Sequence, residues 1–396
     1  MKRREFILAS AGITAYGLLP KMSFGRSLLQ GESFITEAYD DNKVVRVYDP
    51  KVSNYNFGGE SIYWKTIDQE VLSQMLSKSL HEISGEKNDA KAWKKILAGS
   101  KKADLTNIRV AVKVNFNNTI RDIHTTLNNS PAMMGVLAKS MMEAGIQQAN
   151  ICIFDCARPF PDELKSEVRK FGLDQIVMLG KNDNPAVSEK TVFLSDNKDF
   201  PRDGKPTDQY PIPQLLIDAD YLINLHLVKM HSTGVTGAMK NLFGIAGNVA
   251  FHMHHKGPKN FPVSNHLPDL SLNSQIKQRA RLNIAEFIFG GHCPDTIDKF
   301  ENEAFFPDGR PSSLIVSRSP FYHDTVLYGF IRAEYDKANP EKLRKDMCKI
   351  GPDTWLKNSS KQYPAWKYDQ AGFVASNHSA HPQQNLSFKE VNFVSI

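Results

Sequence analysis

Residues 224–248, NLHLVKMHSTGVTGAMKNLFGIAGN, place two histidines, two lysines and a glycine-rich turn between a strand end and a helix start. Parallel α/β sheets bind ligands beyond the carboxyl ends of their strands, where loops carry the reactive side chains. Three such ends are readable: Lys113 and Asn115 after IRVAV, Asp155 after NICIF, and His226, Lys229 and His231 after YLIN. If those strands are neighbours, the side chains converge. Lys113, Lys229 and Lys240 would then hold an anionic small molecule, His231 and Asp155 would exchange protons with it, and Asn115 and Asn241 would orient it.

The turn adds a second means of binding an anion. Thr233, Gly234, Thr236 and Gly237 can present backbone N–H groups ahead of a helix opening near Ala238, a geometry suited to phosphate or carboxylate. GVTGAMKN lacks the spacer and the Lys-Ser/Thr ending of a Walker A loop, and no G-x-G-x-x-G run follows a strand, so nucleotide binding of the usual kinds is disfavoured. His226 and His231 are also candidate ligands for a divalent transition metal, with Asp155 as a possible carboxylate partner. His252, His254 and His255 follow in the same region, though their spacing matches no H-E-x-x-H pattern and reads more simply as an exposed loop. No G-x-S-x-G elbow marks a serine nucleophile. Cys152 and Cys156 form a C-x3-C pair, which is neither a redox C-x2-C nor an iron–sulfur cluster motif, and they read as small buried thiols.

These residues need a framework, and the sequence predicts an α/β fold: a mostly parallel, possibly mixed, sheet with helices on both faces. VVRVYD from Val44 is a first strand, and helical spacing of apolar residues runs from Trp64 to about Ile83. IRVAVKVNF, then SPAMMGVLAKSMMEAG with Ser130 and Pro131 as N-cap and first helical residue, then ANICIFD, make a βαβ unit whose strands are parallel neighbours. TVFLS is a strand before a surface loop rich in Asp, Asn, Lys and Pro. DADYLINLHLV is a strand ending near His226. Ser274 to Phe289 reads as helix, LIVS from Leu314 as strand, and Phe321 to Tyr335 as helix.

Composition narrows the class. A chain of 396 residues, 41% hydrophobic and 23% charged, fits a soluble globular protein. The formal charge of +6 suggests a basic protein, yet half of it sits in the first twenty-five residues, where Lys2, Arg3, Arg4 and Lys21 oppose Glu5. With no dense basic run interleaved by aromatics, nucleic acid is not an expected partner. The same opening, MKRREFILASAGITAYGLLPKMSFG, resembles a twin-arginine export signal: a basic head, Phe6 after the arginine pair, and an apolar stretch too short to span a bilayer. It implies the twin-arginine export machinery as a partner and a periplasmic or cell-envelope location, with the signal cleaved near Gly25 or retained as an anchor.

LINLHLVKMHSTGVTGAMKNLFG resembles the signature of the DUF362 family, in which a strand leads to Lys-x-His, a Gly-Val-Thr-Gly turn and Lys-Asn-Leu-Phe-Gly. VAVKVNFNN resembles the family's Lys-x-Asn strand end. The following helix and Asp-ending strand agree in order, and SPFYHDTVLYGFI resembles a late segment in which Asp324 opens a helix. The resemblance spans roughly 43–335, and its specific part is Lys229 to Gly244. It divides the chain into a signal at 1–25, a linker at 26–42, the α/β domain at 43–335 and an aromatic-containing C-terminal extension at 336–396 that docks on the domain. It implies a site at Lys113, Asn115, Asp155, Lys229, His231, Thr236, Lys240 and Asn241 but no reaction. The C-x2-C-x2-C-x3-C-P run of the ferredoxin-like domain that many relatives carry is not found in this sequence. The residues are compatible with binding of an anionic small molecule, with an accessory or maturation role in holding a metal or cofactor, and with a non-catalytic role in the cell envelope.

Overall fold

The computed structural model describes residues 37–99, 104–183, 187–193, 209–231, 234–246, 266–337, 354–368, 372–375 and 384–396. The segment expected to be an export signal at 1–25, most of the expected linker, Thr233 and the three histidines at 252, 254 and 255 lie outside the described residues. Among the described residues, no helix is long and apolar enough to cross a membrane.

The strands in chain order are β1 (Lys43–Tyr48), β2 (Val110–Lys113), β3 (Ile151–Phe154), β4 (Val177–Leu179), β5 (Val187–Phe193), β6 (Gln209–Pro213), β7 (Tyr221–His231), β8 (Gly234–Thr236), β9 (Ala280–Gly291), β10 (Ser313–Ser317), β11 (Gly372–Ala375), β12 (Gln384–Ser387) and β13 (Asn392–Ser395). Nine of them form one sheet in the order β13-β1-β10-β9-β7-β2-β3-β4, with β8 folded back on β7. From β9 to β4 every pairing is parallel, and β10 alone on that path runs the other way, antiparallel to both β9 and β1. The sheet is therefore mixed but mostly parallel.

Alternation along the strands sorts side chains into two cores. Val110 and Val112 of β2, Ile151 and Ile153 of β3, and Ile223, Leu225 and Leu227 of β7 enter one core, covered by the helices Gln69–Ser84, Asp89–Ala98, Pro131–Glu143 and Asp162–Arg169. Ala111, Phe154, Leu222, Val228 and Met230 enter the other, beneath Pro320–Tyr335 and the C-terminal segment. Strands buried on both faces in this way belong to sheets with helices on either side. In the C-terminal segment Trp366 stacks on Phe321 at 5.1 Å and donates its indole N–H to the Tyr39 carbonyl at 3.0 Å. The chain then ends as β13, parallel to β1.

Local signals explain the helix ends near the site. Ser130 accepts from Met133 N, and Pro131 supplies a first helical residue with no N–H to satisfy. The helix predicted from Trp64 begins later, at Gln69, because Asp68 caps it by accepting from Glu70 N and Val71 N; Trp64 lies in a preceding 3-10 turn. Two expectations fail outright. Ser274 to Phe289 is not one helix: only Ser274–Lys277 is helical, and β9 begins at Ala280. The predicted strand end near His226 is mid-strand, since β7 continues to His231 before turning into β8.

Candidate functional site

Register decides what meets at the strand ends. In β2, Lys113 lies opposite Phe154 of β3 and Asn224 of β7, so the residues just beyond it share one edge of the sheet with Asp155 and Leu225. There Lys113 Nζ sits 3.2 Å from Asp155 Oδ2 and 3.3 Å from Asn241 Oδ1, and also donates to the Val114 carbonyl. The pair is almost sealed from solvent, at 1% and 5% side-chain exposure. Asp155 further accepts from Phe116 N at 3.0 Å and Ala157 N at 2.8 Å. Both of its oxygens are thus engaged by donors. This engagement makes it an anchor for two loops and a lysine.

Asn241 ties β2 to β7. Its Nδ2 donates to Asn224 Oδ1 at 2.8 Å, to Leu225 O at 3.1 Å and to Lys113 O at 3.3 Å. Three acceptors on one side fix the amide's orientation, so Oδ1 must accept, and it does so from Lys113 and from Asn115 Nδ2 at 3.2 Å. Asn115 is oriented in turn, and its Oδ1 is left buried with no hydrogen-bond partner among the described residues. Asn115 N donates to Asn129 Oδ1 at 2.6 Å, and Asn129 passes its amide to Glu286 at 2.8 Å. Burial pushes the Glu286 carboxyl up to about 7 against the hydrogen bonds from Asn129 and Ser130.

The glycine turn departs from expectation. Gly234–Thr236 is β8, pairing antiparallel with Lys229–His231. The helix it leads to is only Ala238–Asn241, and its first N–H groups are already taken: Ala238 N and Met239 N donate to Asp324 at 2.6 and 3.1 Å. Asp324 does not open its own helix, which starts at Pro320, but caps this other one. Gly237 faces that carboxylate so closely that a Cβ would come within 2.3 Å of Asp324 Oδ1. Gly237 is therefore a packing requirement, and Thr236 is buried in β8. Gly244 plays a similar part, since a Cβ there would lie 2.5 Å from Lys113 Nζ.

Lys229, His231 and Lys240 gather around this floor with one residue the sequence did not single out, Arg158. Burial first, and then the positive charges of Lys229, Lys113 and Arg158, push Lys240 down to about 7, with Asp155 opposing. Burial likewise brings Lys229 to about 7 against the pull of Asp295. Burial and the charges of Lys240 and Lys229 hold His231 well below the usual imidazole range, so it is neutral at pH 7. Lys229 is 1% exposed and directs its ammonium at the Leu127 carbonyl, 3.4 Å away. Lys240, His231 and Arg158 each keep part of their surface open. Arg158 is oriented by Nε to Asn117 O at 3.0 Å and Nη1 to Ala157 O at 3.1 Å. The sequence signal for it was weak: a lone arginine three places after a strand-ending aspartate.

His226 is not with His231. Alternation along β7 sends it to the opposite face, where its Nε2 lies 2.9 Å from His323 Nε2 and its Nδ1 donates to Leu227 O at 3.0 Å. That bond makes His226 Nε2 the acceptor and His323 Nε2 the donor, so His323 Nδ1 faces the core unpartnered among the described residues. Burial lowers His226 to about 4, in keeping with a neutral pair. The shared metal site expected for His226 and His231 is thus split by the strand, and among the described residues no cluster of three or more His, Cys, Asp or Glu is arranged to hold a metal. Cys152 and Cys156 are free, and burial raises both thiols, Cys156 to about 12, so neither is a ready nucleophile.

A family model described as "Domain of unknown function (DUF362)" matches residues 110–328, which include β2, β3, β7, β9 and every residue of this site. No curated protein matches the chain. Among solved structures, the lactate racemase apoprotein from Thermoanaerobacterium thermosaccharolyticum is similar at 11% identity and a TM-score of 0.39, over 74% of this chain and 58% of that one. This chain therefore spans somewhat over half the length of that protein.

Proposed function

The chain belongs to the DUF362 family, and we propose that its strand-end site binds a small anionic molecule. The observation that carries this reading is the charge imbalance around Lys240: three cations, Lys113, Lys229 and Arg158, act on it against one carboxylate, Asp155. Concentrating like charges in a poorly hydrated place costs stability unless an anion offsets it. Asn115 Oδ1 supplies a second reason, because an oriented and unpartnered acceptor is suited to a ligand that also carries a hydrogen-bond donor. Lys240, Arg158 and His231 are the reachable groups, while Lys113 and Lys229 supply field from behind.

The test is thermal unfolding and calorimetry with inorganic phosphate and oxalate at constant ionic strength. Saturable stabilisation beyond that of chloride, reduced in Arg158→Ala, is expected from linkage between binding and folding. Stabilisation that tracks ionic strength alone would remove the reading. We further propose that the protein is exported, on the support of the Arg3-Arg4 pair and the apolar run after it. Replacing both arginines by lysine and following the protein by cell fractionation tests that step.

A further inference from the structure

We propose that residues 114–130 form a gate over the anion site, latched to the segment after β9, which swings aside on a fixed neck to uncover Lys229. The inference rests on the anion-site reading and adds how that site is opened. Between β2, which ends at Lys113, and the helix that begins at Pro131, no residue belongs to a helix or a strand. Connections of this length without secondary structure are uncommon in compact domains, and lids and binding loops are frequent among them. The two ends of the loop are clipped together: Asn115 N donates to Asn129 Oδ1 at 2.6 Å, and Asn129 N donates to the Asn115 carbonyl at 3.3 Å. Outside partners hold the neck as well, Asp155 accepting from Phe116 N at 3.0 Å and the Tyr63 hydroxyl from Asn128 N at 2.9 Å. A loop closed at its neck can move as a unit while the strand and helix that carry it stay in place.

The loop is fastened differently on its two sides. Towards β3, Arg158 Nε donates to the Asn117 carbonyl at 3.0 Å and Thr119 Oγ1 to the Pro159 carbonyl at 2.7 Å, so this side is the hinge. Towards β9 it is held by Asn118 Nδ2, which donates to the Pro294 carbonyl at 2.7 Å, and by the ion pair of Arg121 with Asp295. That pair faces solvent, with 60% and 21% side-chain exposure, so it holds weakly and loosens with salt. In the sheet β7 lies between β2 and β9, and Lys229 of β7 is opposite Gly291 of β9, so the latch crosses the end of β7 at Lys229. Behind it the Leu127 carbonyl receives both Asn118 Nδ2 at 3.1 Å and Lys229 Nζ at 3.4 Å. For Lys229, 1% exposed, this is one long hydrogen bond to a neutral oxygen for three N–H groups. A charged oxygen is a stronger partner, so an anion that passes the opened latch satisfies Lys229 better than the closed loop does. The tip has little to anchor it, since Ile120 is 66% exposed.

The experiment times the reaction of each lysine of the full chain with methyl acetimidate, which modifies amines and keeps their positive charge, by mass spectrometry of peptides. Lys113 is equally enclosed but held by the floor through Val114 O, Asp155 and Asn241, so it reports opening of the fold as a whole. Relative to Lys113, modification of Lys229 should speed up roughly two- to fivefold in Arg121→Ala and about tenfold in Asn118→Ala. Molar sodium chloride should speed it in the unaltered chain and add little in Arg121→Ala, which keeps the test decisive even if Asn118→Ala folds poorly. Inorganic phosphate should slow Lys229 in Arg121→Ala beyond chloride at equal ionic strength. Lys229 no faster in Arg121→Ala and in salt, or accelerated only in step with Lys113, overturns the gate; phosphate stabilisation of the unaltered chain would then leave the anion site standing alone. Faster Lys229 in the variants with no phosphate stabilisation removes the anion-site reading and leaves the loop motion.

Discussion

Asp155→Asn isolates the buried ion pair on which the site floor is built. The substitution keeps shape and removes charge, yet the carboxylate it replaces receives three donors: Lys113 Nζ at 3.2 Å, Phe116 N at 3.0 Å and Ala157 N at 2.8 Å. An amide offers one oxygen, so in either orientation its NH2 faces at least one N–H. Lys113 also loses its counter-ion at 1% side-chain exposure. At 3.2 Å and an effective dielectric near 20 the pair's attraction is about 5 kcal/mol, most of it offset by desolvation of both ions. Breaking one side leaves the other charge buried, and the expected cost is about 3–5 kcal/mol. Urea unfolding followed by tryptophan fluorescence measures it, as a lowered midpoint at unchanged slope. Lys113→Met alone and combined with Asp155→Asn complete a cycle with a coupling of about 0.5–3 kcal/mol, the double variant costing less than the sum. A loss under about 1 kcal/mol for Asp155→Asn, or simple additivity, would refute the reasoning.

Gly244→Ala should destabilise by about 1–3 kcal/mol, read as a lowered Tm, because its Cβ would meet Lys113 Nζ at 2.5 Å and Cε at 2.7 Å while Lys113 is held on three sides. Its backbone is not in the left-handed region, so the contact alone carries the effect. Lys240 and Lys229 titrate near 7 in the folded protein against about 10.4 unfolded, so between those values the folded state holds fewer protons. Their contribution to stability therefore rises from pH 7 to 10 and is lost as pH falls; Lys240→Met should flatten a Tm profile over that window, and an unchanged slope would contradict the assignment. Arg158→Ala should weaken phosphate binding by roughly ten- to a hundredfold in calorimetry, the worth of one charge-assisted hydrogen bond; unchanged affinity would remove Arg158 from the ligand.

The parallel core was legible because its signals are local. Ser130-Pro131 opens a helix between two β-branched runs, and a right-handed crossover then leaves β2 and β3 few ways to pair. β9 was misread because it is buried on both faces, so it lacks a period of two, while Asn283 and Glu286 are spaced like one face of a helix. Those polar residues answer partners from far along the chain: Asn283 meets Asn224 at 3.0 Å, and Glu286 meets Asn129 and Ser130. The same remoteness hid the role of Asp324, which sits a turn inside one helix and caps another more than eighty residues earlier. A capping residue is visible in a sequence only when it precedes the helix it caps.

That non-local cap changes how the Lys229–Gly244 run is understood. A polar group whose bonding capacity is filled by its own protein cannot serve a ligand without giving something up. Asn241 spends its amide on Asn224, Leu225 and Lys113, Asp155 is filled by three donors, and the helix N–H groups at 238 and 239 belong to Asp324. The most conspicuous residues of the run, Gly237, Asn241 and Gly244, therefore build the floor by admitting or holding other side chains. On the anion-site proposal, recognition would fall to the part-exposed Lys240, His231 and Arg158 and to Asn115 Oδ1. Two classes of variant follow from this division. Changes to the floor should lower the unfolding midpoint before they alter anion affinity, whereas loss of a cation at the open side should lower affinity without lowering the midpoint in ligand-free buffer.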